Sequence, residues 1–138
     1  MKEIKITNYK KVYAPHIISI ADEQLGEGYL QLSTLEDVSS FSERFLNVAV
    51  NEKEEVLGFS FGSIVTQSFL TGEMGIPAEK LHVVCKDAKK IGVFKTVAVK
   101  KNATKMGIGA RLTTDLIEKM KREKAEVICS LLGRLPME

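Results

Sequence analysis

The chain has 138 residues, with 20 Lys and Arg against 18 Asp and Glu, a formal net charge of +2, 44% hydrophobic residues and 28% charged ones. A chain near ~150 residues buries roughly 68–70% of its unfolded surface, so this length supports one core and leaves no room for two ordinary domains. The composition excludes a disordered tail, a collagen-like repeat and a disulfide scaffold.

Glu3 to Asn8 alternates charged residues with Ile4 and Ile6, the pattern of a short strand with one wet face. No apolar stretch of signal-peptide length occurs between Met1 and Lys11. Pro15 stands where the first turn of a helix tolerates it, and Ile17, Ile18, Ala21 and Leu25 follow at helical spacing until Gly26 and Gly28 end the run. Ser33 and Glu36 have the spacing of a capping box, which predicts a second short helix through Val38 and Phe41. The period then changes. Phe45 to Val50 and Val56 to Val65 read as two strands joined by the polar turn Asn51 to Glu55, a β-hairpin without an Asn-Gly signature. Gly58 and Gly62 within the second strand suggest a bulge or a close backbone approach.

The longest uncharged run, Val56 to Gly72, is broken by Ser, Thr, Gln and Gly, which is not the pattern of a membrane anchor. Thr66 to Lys90 is punctuated by Gly72, Gly75 and Pro77, with Leu81 to Cys85 as a possible short extra strand. Gly92 to Val99 is a β-rich run, Lys100 to Met106 a polar loop, and from Ile108 the apolar residues Leu112, Leu116, Ile117 and Met120 recur on one helical face. Glu118 and Arg122 lie four apart on the opposite side. Val127 to Leu132 reads as a buried last strand. There is no internal repeat and no low-complexity linker, so residues 1–138 are expected to form a single domain.

The two cysteines, Cys85 and Cys129, form no Cys-x-x-Cys pair and read as reduced thiols of a soluble cytoplasmic protein with no metal site; Cys129 lies on an apolar run and is expected in the core. The charge is uneven: residues 1–75 carry 6 basic and 11 acidic side chains, residues 76–138 carry 14 and 7. A basic C-terminal half points to an anionic partner. Nucleic acid is disfavoured, because after Phe69 the only aromatic residue among Phe, Tyr and Trp is Phe94, too few for base stacking.

One segment joins a strand, a glycine-bearing loop and a helix: Val97-Ala98-Val99, then Lys100 to Met106, then Gly107-Ile108-Gly109-Ala110. A strand gives such a loop a rigid base, glycines let backbone approach a bulky anion, and the first N–H groups of the helix have no internal acceptor. Lys100, Lys101, Lys105 and Arg111 add positive charge. This predicts a pyrophosphate cradle, although the Gly-Lys-Ser/Thr ending of a Walker loop and the glycine count of a dinucleotide fingerprint are both missing.

Val97-Ala98-Val99, the eight-residue step from Val99 to Gly107, and Gly107-Ile108-Gly109-Ala110 followed by Leu112 resemble motif A of the GNAT N-acetyltransferase superfamily. The order of elements over about residues 3 to 132 is similar as well. The resemblance implies an α/β fold with a mixed sheet of about five strands flanked by helices on both faces. It implies acetyl-CoA as co-substrate, with Val97 and Val99 along the pantetheine and Thr104, Lys105, Met106, Gly107, Ile108, Gly109 and Ala110 around the phosphates. It further implies transfer of acetyl to a primary amine of a small molecule or protein.

The chain departs from that pattern in three places. Thr104 stands where Gln or Arg usually opens the motif, Val93 where some members carry a catalytic Glu, and the chain ends where the family continues with another helix and strands, one helix often bearing a proton-donating Tyr. The only tyrosines are Tyr9, Tyr13 and Tyr29. These departures define the alternative, a C-terminally truncated, inactive relative that binds CoA or only keeps the fold. Either form would leave the strand from Val127 exposed at an edge, which predicts a homodimer.

The catalytic groups stay unassigned. Glu23, Glu27 and Tyr29 lie in the segment corresponding to the acceptor pocket and could attract a cationic amine, or could be no more than a solvated helix end and turn. His82 and Glu79 could act as a base through water or lie on the surface, and His16 at a helix start suggests nothing specific.

Overall fold

A computed structural model describes residues 3–31, 35, 44–72, 75–104 and 106–130. The capping box at Ser33 and Glu36, the helix through Val38 and Phe41, and the residues after Ser130 lie outside this set.

The strands follow the alternation of the sequence. β1 (Lys5–Asn8), β2 (Arg44–Val50), β3 (Val56–Val65), β4 (Ile91–Val99) and β5 (Val127–Ser130) form one sheet in sequential order. The first four are antiparallel, while β5 runs parallel to β4. A parallel pair needs a crossover, and here it is the long helix that follows β4. The fold is therefore α/β with a mixed five-stranded sheet, as expected. The β2–β3 hairpin turns without Asn-Gly because the Asn51 side chain does the work: its Oδ1 accepts the N–H groups of Lys53 and Glu55 at 2.9 and 3.0 Å.

Helices cover both faces. α1 (Ala14–Leu25) has Pro15 in its first turn, ends at Gly26, and packs Ile17, Ile20 and Ala21 with Phe59 and Ala98 of the sheet. α2 (Gln67–Gly72) and α3 (Ala78–Cys85) bury Leu70, Leu81 and Cys85 against Ile91 and Val93. The opposite face carries α4 (Ile108–Arg122), whose Ile108, Leu112, Leu116 and Met120 are wholly buried while Ile117 is half-buried.

α4 lies close to the sheet because glycines sit beneath it. A Cβ on Gly62 would come within 2.5 Å of Met120 Cε and 2.7 Å of the Val93 carbonyl oxygen. The close approach suggested by the strand glycines is thus present. Polar pins fix the same interface: Ser60 Oγ donates to the Leu112 carbonyl at 3.3 Å, and the fully buried Asn47 donates to Asp115 at 3.0 Å while its oxygen accepts from Lys119. Each buried polar atom in these pins has a partner, as burial requires.

Two expectations need correction. Leu81 to Cys85 is not a strand but the end of α3: Leu81 and Cys85, four residues apart, are buried on one side while His82 and Val83 are exposed. The strand from Val127 is described to Ser130, and Val127, Ile128 and Cys129 are half-buried and not buried, because β5 has a described neighbour on one side only.

Candidate active site

β4 gives the site its base. Its ladder with β3 is extended by the Lys100 N–H, which donates to the Leu57 carbonyl at 2.7 Å. The chain then tightens into a 3-10 turn, Lys101–Ala103, and buries Ala103 beside Ile108 and Leu112. That buried methyl anchors an otherwise polar loop. Thr104 turns its hydroxyl back onto the Lys101 carbonyl at 3.2 Å, so its side chain is spent within the loop.

Gly107 enters α4 with φ of 71° and ψ of 16°, the left-handed region, and a Cβ there would meet no atom within 4 Å. The constraint is conformational and not one of internal space. The first bond of the helix runs from the Arg111 N–H to the Gly107 carbonyl at 3.2 Å. The N–H groups of Ile108, Gly109 and Ala110 therefore precede the intrahelical ladder, at the positive end of the helix dipole. Gly109 leaves the approach open, for a Cβ there would touch only Val99, at an ordinary 3.7 Å. No capping side chain closes this end. A loop of this construction fits a pyrophosphate.

The expected cofactor residues are thus gathered on one stretch. Val97 and Val99 lie on the second half of β4, half-buried against the α4 side. Ile108 is wholly buried and offers only its backbone. Met106 is 47% exposed beside Gly107. Lys105 lies outside the described residues. Lys100 and Lys101 stand at the loop entrance, and hydrogen bonds from the Gln24 side chain and the Lys101 N–H, then the two lysine charges, hold the Glu23 carboxyl below its ordinary range. Arg111 lines a surface depression with Glu3, Glu52 and Glu54 and so faces the β1 side.

The other candidates separate. Glu23 accepts the Lys101 N–H at 3.0 Å, tying the end of α1 to the loop. Glu27 is exposed. Tyr29 reaches the sheet: its hydroxyl is 3.1 Å from Thr96 Oγ1. Glu79 and His82 are exposed on α3, at the Ile91 end of β4 and so at the opposite end of that strand from the cradle. Val93 is buried among apolar residues. His16 is exposed, and Cys129 packs half-buried beside the cluster containing Cys85. Among the described residues, no group of His, Cys, Asp and Glu is placed to hold a metal, and no helix is long and apolar enough to cross a membrane.

Sequence reasoning passed over Lys95 and Thr96. β4 carries one more residue than β3 at this point, since Phe61 is opposite Thr96 and Gly62 opposite Phe94, leaving Lys95 unmatched. A lone Lys inside the apolar run Gly92 to Val99 was the available signal.

This architecture is found in solved structures. The aminoglycoside N-acetyltransferase AAC(6')-Iy in complex with CoA is similar over 94% of this chain and 77% of its own, with a TM-score of 0.74 and 13% identity. A GNAT family acetyltransferase from Staphylococcus aureus is similar over 98% and 93%, with a TM-score of 0.69 and 16% identity. A Bacillus halodurans protein described as a transcriptional regulator is similar over 93% and 81%, at 0.69 and 20%. No family model matches the chain, and no curated protein is similar to it in sequence. The chain has the GNAT acetyltransferase fold.

Proposed function

We propose that this protein is an acetyl-CoA-dependent N-acetyltransferase acting on a primary amine of a small molecule or protein. The observation that carries the reading is the left-handed Gly107, which opens α4 with N–H groups that have no partner among the described residues at the end of β4, in a fold shared with acetyltransferases. Gly107, Ile108, Gly109 and Ala110 would hold the diphosphate by backbone N–H, with Thr104, Lys105 and Met106 around it and Lys100 and Lys101 supplying charge. Val97 and Val99 would line the pantetheine arm.

Acetyl-CoA supplies an activated acyl group as a thioester. In the transfer, the amine nitrogen forms a bond to the acyl carbon, the carbon–sulfur bond breaks, and the proton lost by nitrogen ends on sulfur. The chain's part is to fix the two partners in line and to exclude water. We assign no general base.

The test is isothermal titration of acetyl-CoA into the wild type and Gly107→Glu. A side chain at this φ is strained, and a carboxylate would stand where the phosphates lie, so the substitution is expected to abolish binding. Thiol release over a panel of amines then tests turnover. Absence of acetyl-CoA binding by folded wild type would overturn the reading.

The buried Val93, in place of a carboxylate, favours a second reading: a relative that binds CoA without turnover. Binding with no acetylation of any amine would establish it. For either reading we propose a homodimer formed through the outer edge of β5, and no nucleic acid or membrane as partner.

A further inference from the structure

The β4 bulge produces an arrangement that the phosphate cradle does not use. An inserted residue turns neighbouring side chains of the bulged strand toward one face, and here these are Lys95 and Thr96. The face is that of α1. Lys95 Nζ lies 5.1 Å from the centre of the Phe61 ring, and Phe61 packs against the α1 cluster. Thr96, itself buried, meets the hydroxyl of Tyr29 at 3.1 Å. Tyr29 is held there by the turn after α1, where its N–H donates to the Gly26 carbonyl at 3.1 Å and the Gly28 N–H donates to Asp22 Oδ1 at 3.0 Å. Two residues along β3 from Phe61, Ser63 is only 3% exposed, and its hydroxyl has no hydrogen-bond partner among the described residues.

Lys95 is half-buried, and no described carboxylate stands beside it. Burial, and then the charge of Arg44, push its ammonium below the ordinary lysine range. A half-buried ammonium with no described counter-ion and a buried hydroxyl with no described partner each cost free energy. A ligand bringing an anion would remove the first cost, and its acceptor oxygens could remove the second.

The place is also the right one for an acceptor. At a rise of about 3.3 Å per residue, an arm laid along β4 from Val99 reaches Lys95 after roughly 13 Å. Glu23, one of the residues that could attract a cationic amine, accepts the Lys101 N–H.

We propose that the bulge forms the acceptor pocket and that its substrate is an amine which also carries a carboxylate or phosphate, the anion seated on Lys95 and flanked by the hydroxyls of Tyr29 and Thr96. The proposal rests on the acetyl-transfer reading for the fate of the amine, but the anion site itself is testable without turnover.

The experiment is titration of ethanolamine against phosphoethanolamine, and of tyramine against tyrosine, into wild type, Lys95→Met and Lys95→Arg, with and without CoA. The member of at least one pair that carries the phosphate or carboxylate is expected to bind wild type about tenfold or more tightly than the member that lacks it, the worth of one charge-assisted hydrogen bond. The pair that discriminates tells phosphate from carboxylate. Lys95→Met, shown to be folded by circular dichroism, is expected to erase the ratio and Lys95→Arg to keep it. Equal affinities in both pairs, or a preference that persists in Lys95→Met, overturn the inference whether or not acetyl transfer is seen. Selective binding with no thiol release from acetyl-CoA over the whole amine panel would sink the acetyl-transfer reading and leave the anion site standing.

Discussion

At the scale of single residues, Lys95 sets function against stability. Its ammonium is desolvated over Phe61, and its stem would be replaced almost atom for atom by methionine. Lys95→Met is therefore expected to stabilise the fold near neutral pH, by less than the ~1 kcal/mol of a fully buried polar group, because solvent screens the exposed half of the side chain. The pH dependence follows from the direction of the shift. A lysine with a depressed folded value opposes folding most while it is protonated in both states. That penalty fades as pH rises through the folded value, and it vanishes above the ordinary 10.5. The advantage of Lys95→Met should shrink over that window, which urea unfolding at a series of pH values would measure. An advantage independent of pH would assign the gain to packing alone. Gly107 makes a comparable demand in a different currency, backbone conformation, since its φ of 71° is one that side chains resist.

Elements were legible where a run was long and bounded by polar residues or glycine. β2, β3, β4 and α4 fall within a residue or so of the runs Phe45–Val50, Val56–Val65, Gly92–Val99 and the helix from Ile108, and Gly107 with its unpaired helix start stands where the motif placed it. The α2–α3 region was not legible. α3 has eight residues, its buried contacts are Leu81 and Cys85, and the β-branched Val83 between them imitates a strand. The bulge was half legible: Gly62 suggested an irregularity in β3, whereas the extra residue, Lys95, lies on its partner β4. Below it Phe94 faces the α4 side and above it Val97 does, three residues apart where an unbroken strand allows only even spacing. That irregularity depends on β3, and Gly62 is where β3 accommodates it. Adding a methyl there would drive it within 2.7 Å of the Val93 backbone oxygen, which cannot yield as the Met120 tip could. Gly62→Ala is accordingly expected to destabilise the protein by about 1–3 kcal/mol, the usual cost of overpacking. A denaturant midpoint equal to that of wild type would show that the strand relaxes around the methyl.

For the whole molecule, the sheet order sets the conditions for association. β1 and β5 are its outer strands among the described residues, each four residues long. They differ in protection. β1 is laced to its surroundings by the Asn8–Lys119 contact and has the exposed, charged Lys5 at its start. β5 carries Val127, Ile128 and Cys129, all half-buried and none charged, beside a row of backbone groups with a described partner only on the β4 side. An uncharged edge of this kind pairs readily with a second copy, and the charges that would deter it are missing. Such pairing would also extend the surface next to the Phe94–Ser130 pair, close to the bulge. Light scattering over rising protein concentration should therefore report twice the monomer mass, and the amide hydrogens of Val127 to Ser130 should exchange more slowly as the dimer fills. A monomer at every concentration, with β5 exchange unaffected, would refute the pairing while leaving the cradle and the acceptor pocket untouched, since every residue assigned to them comes from one chain.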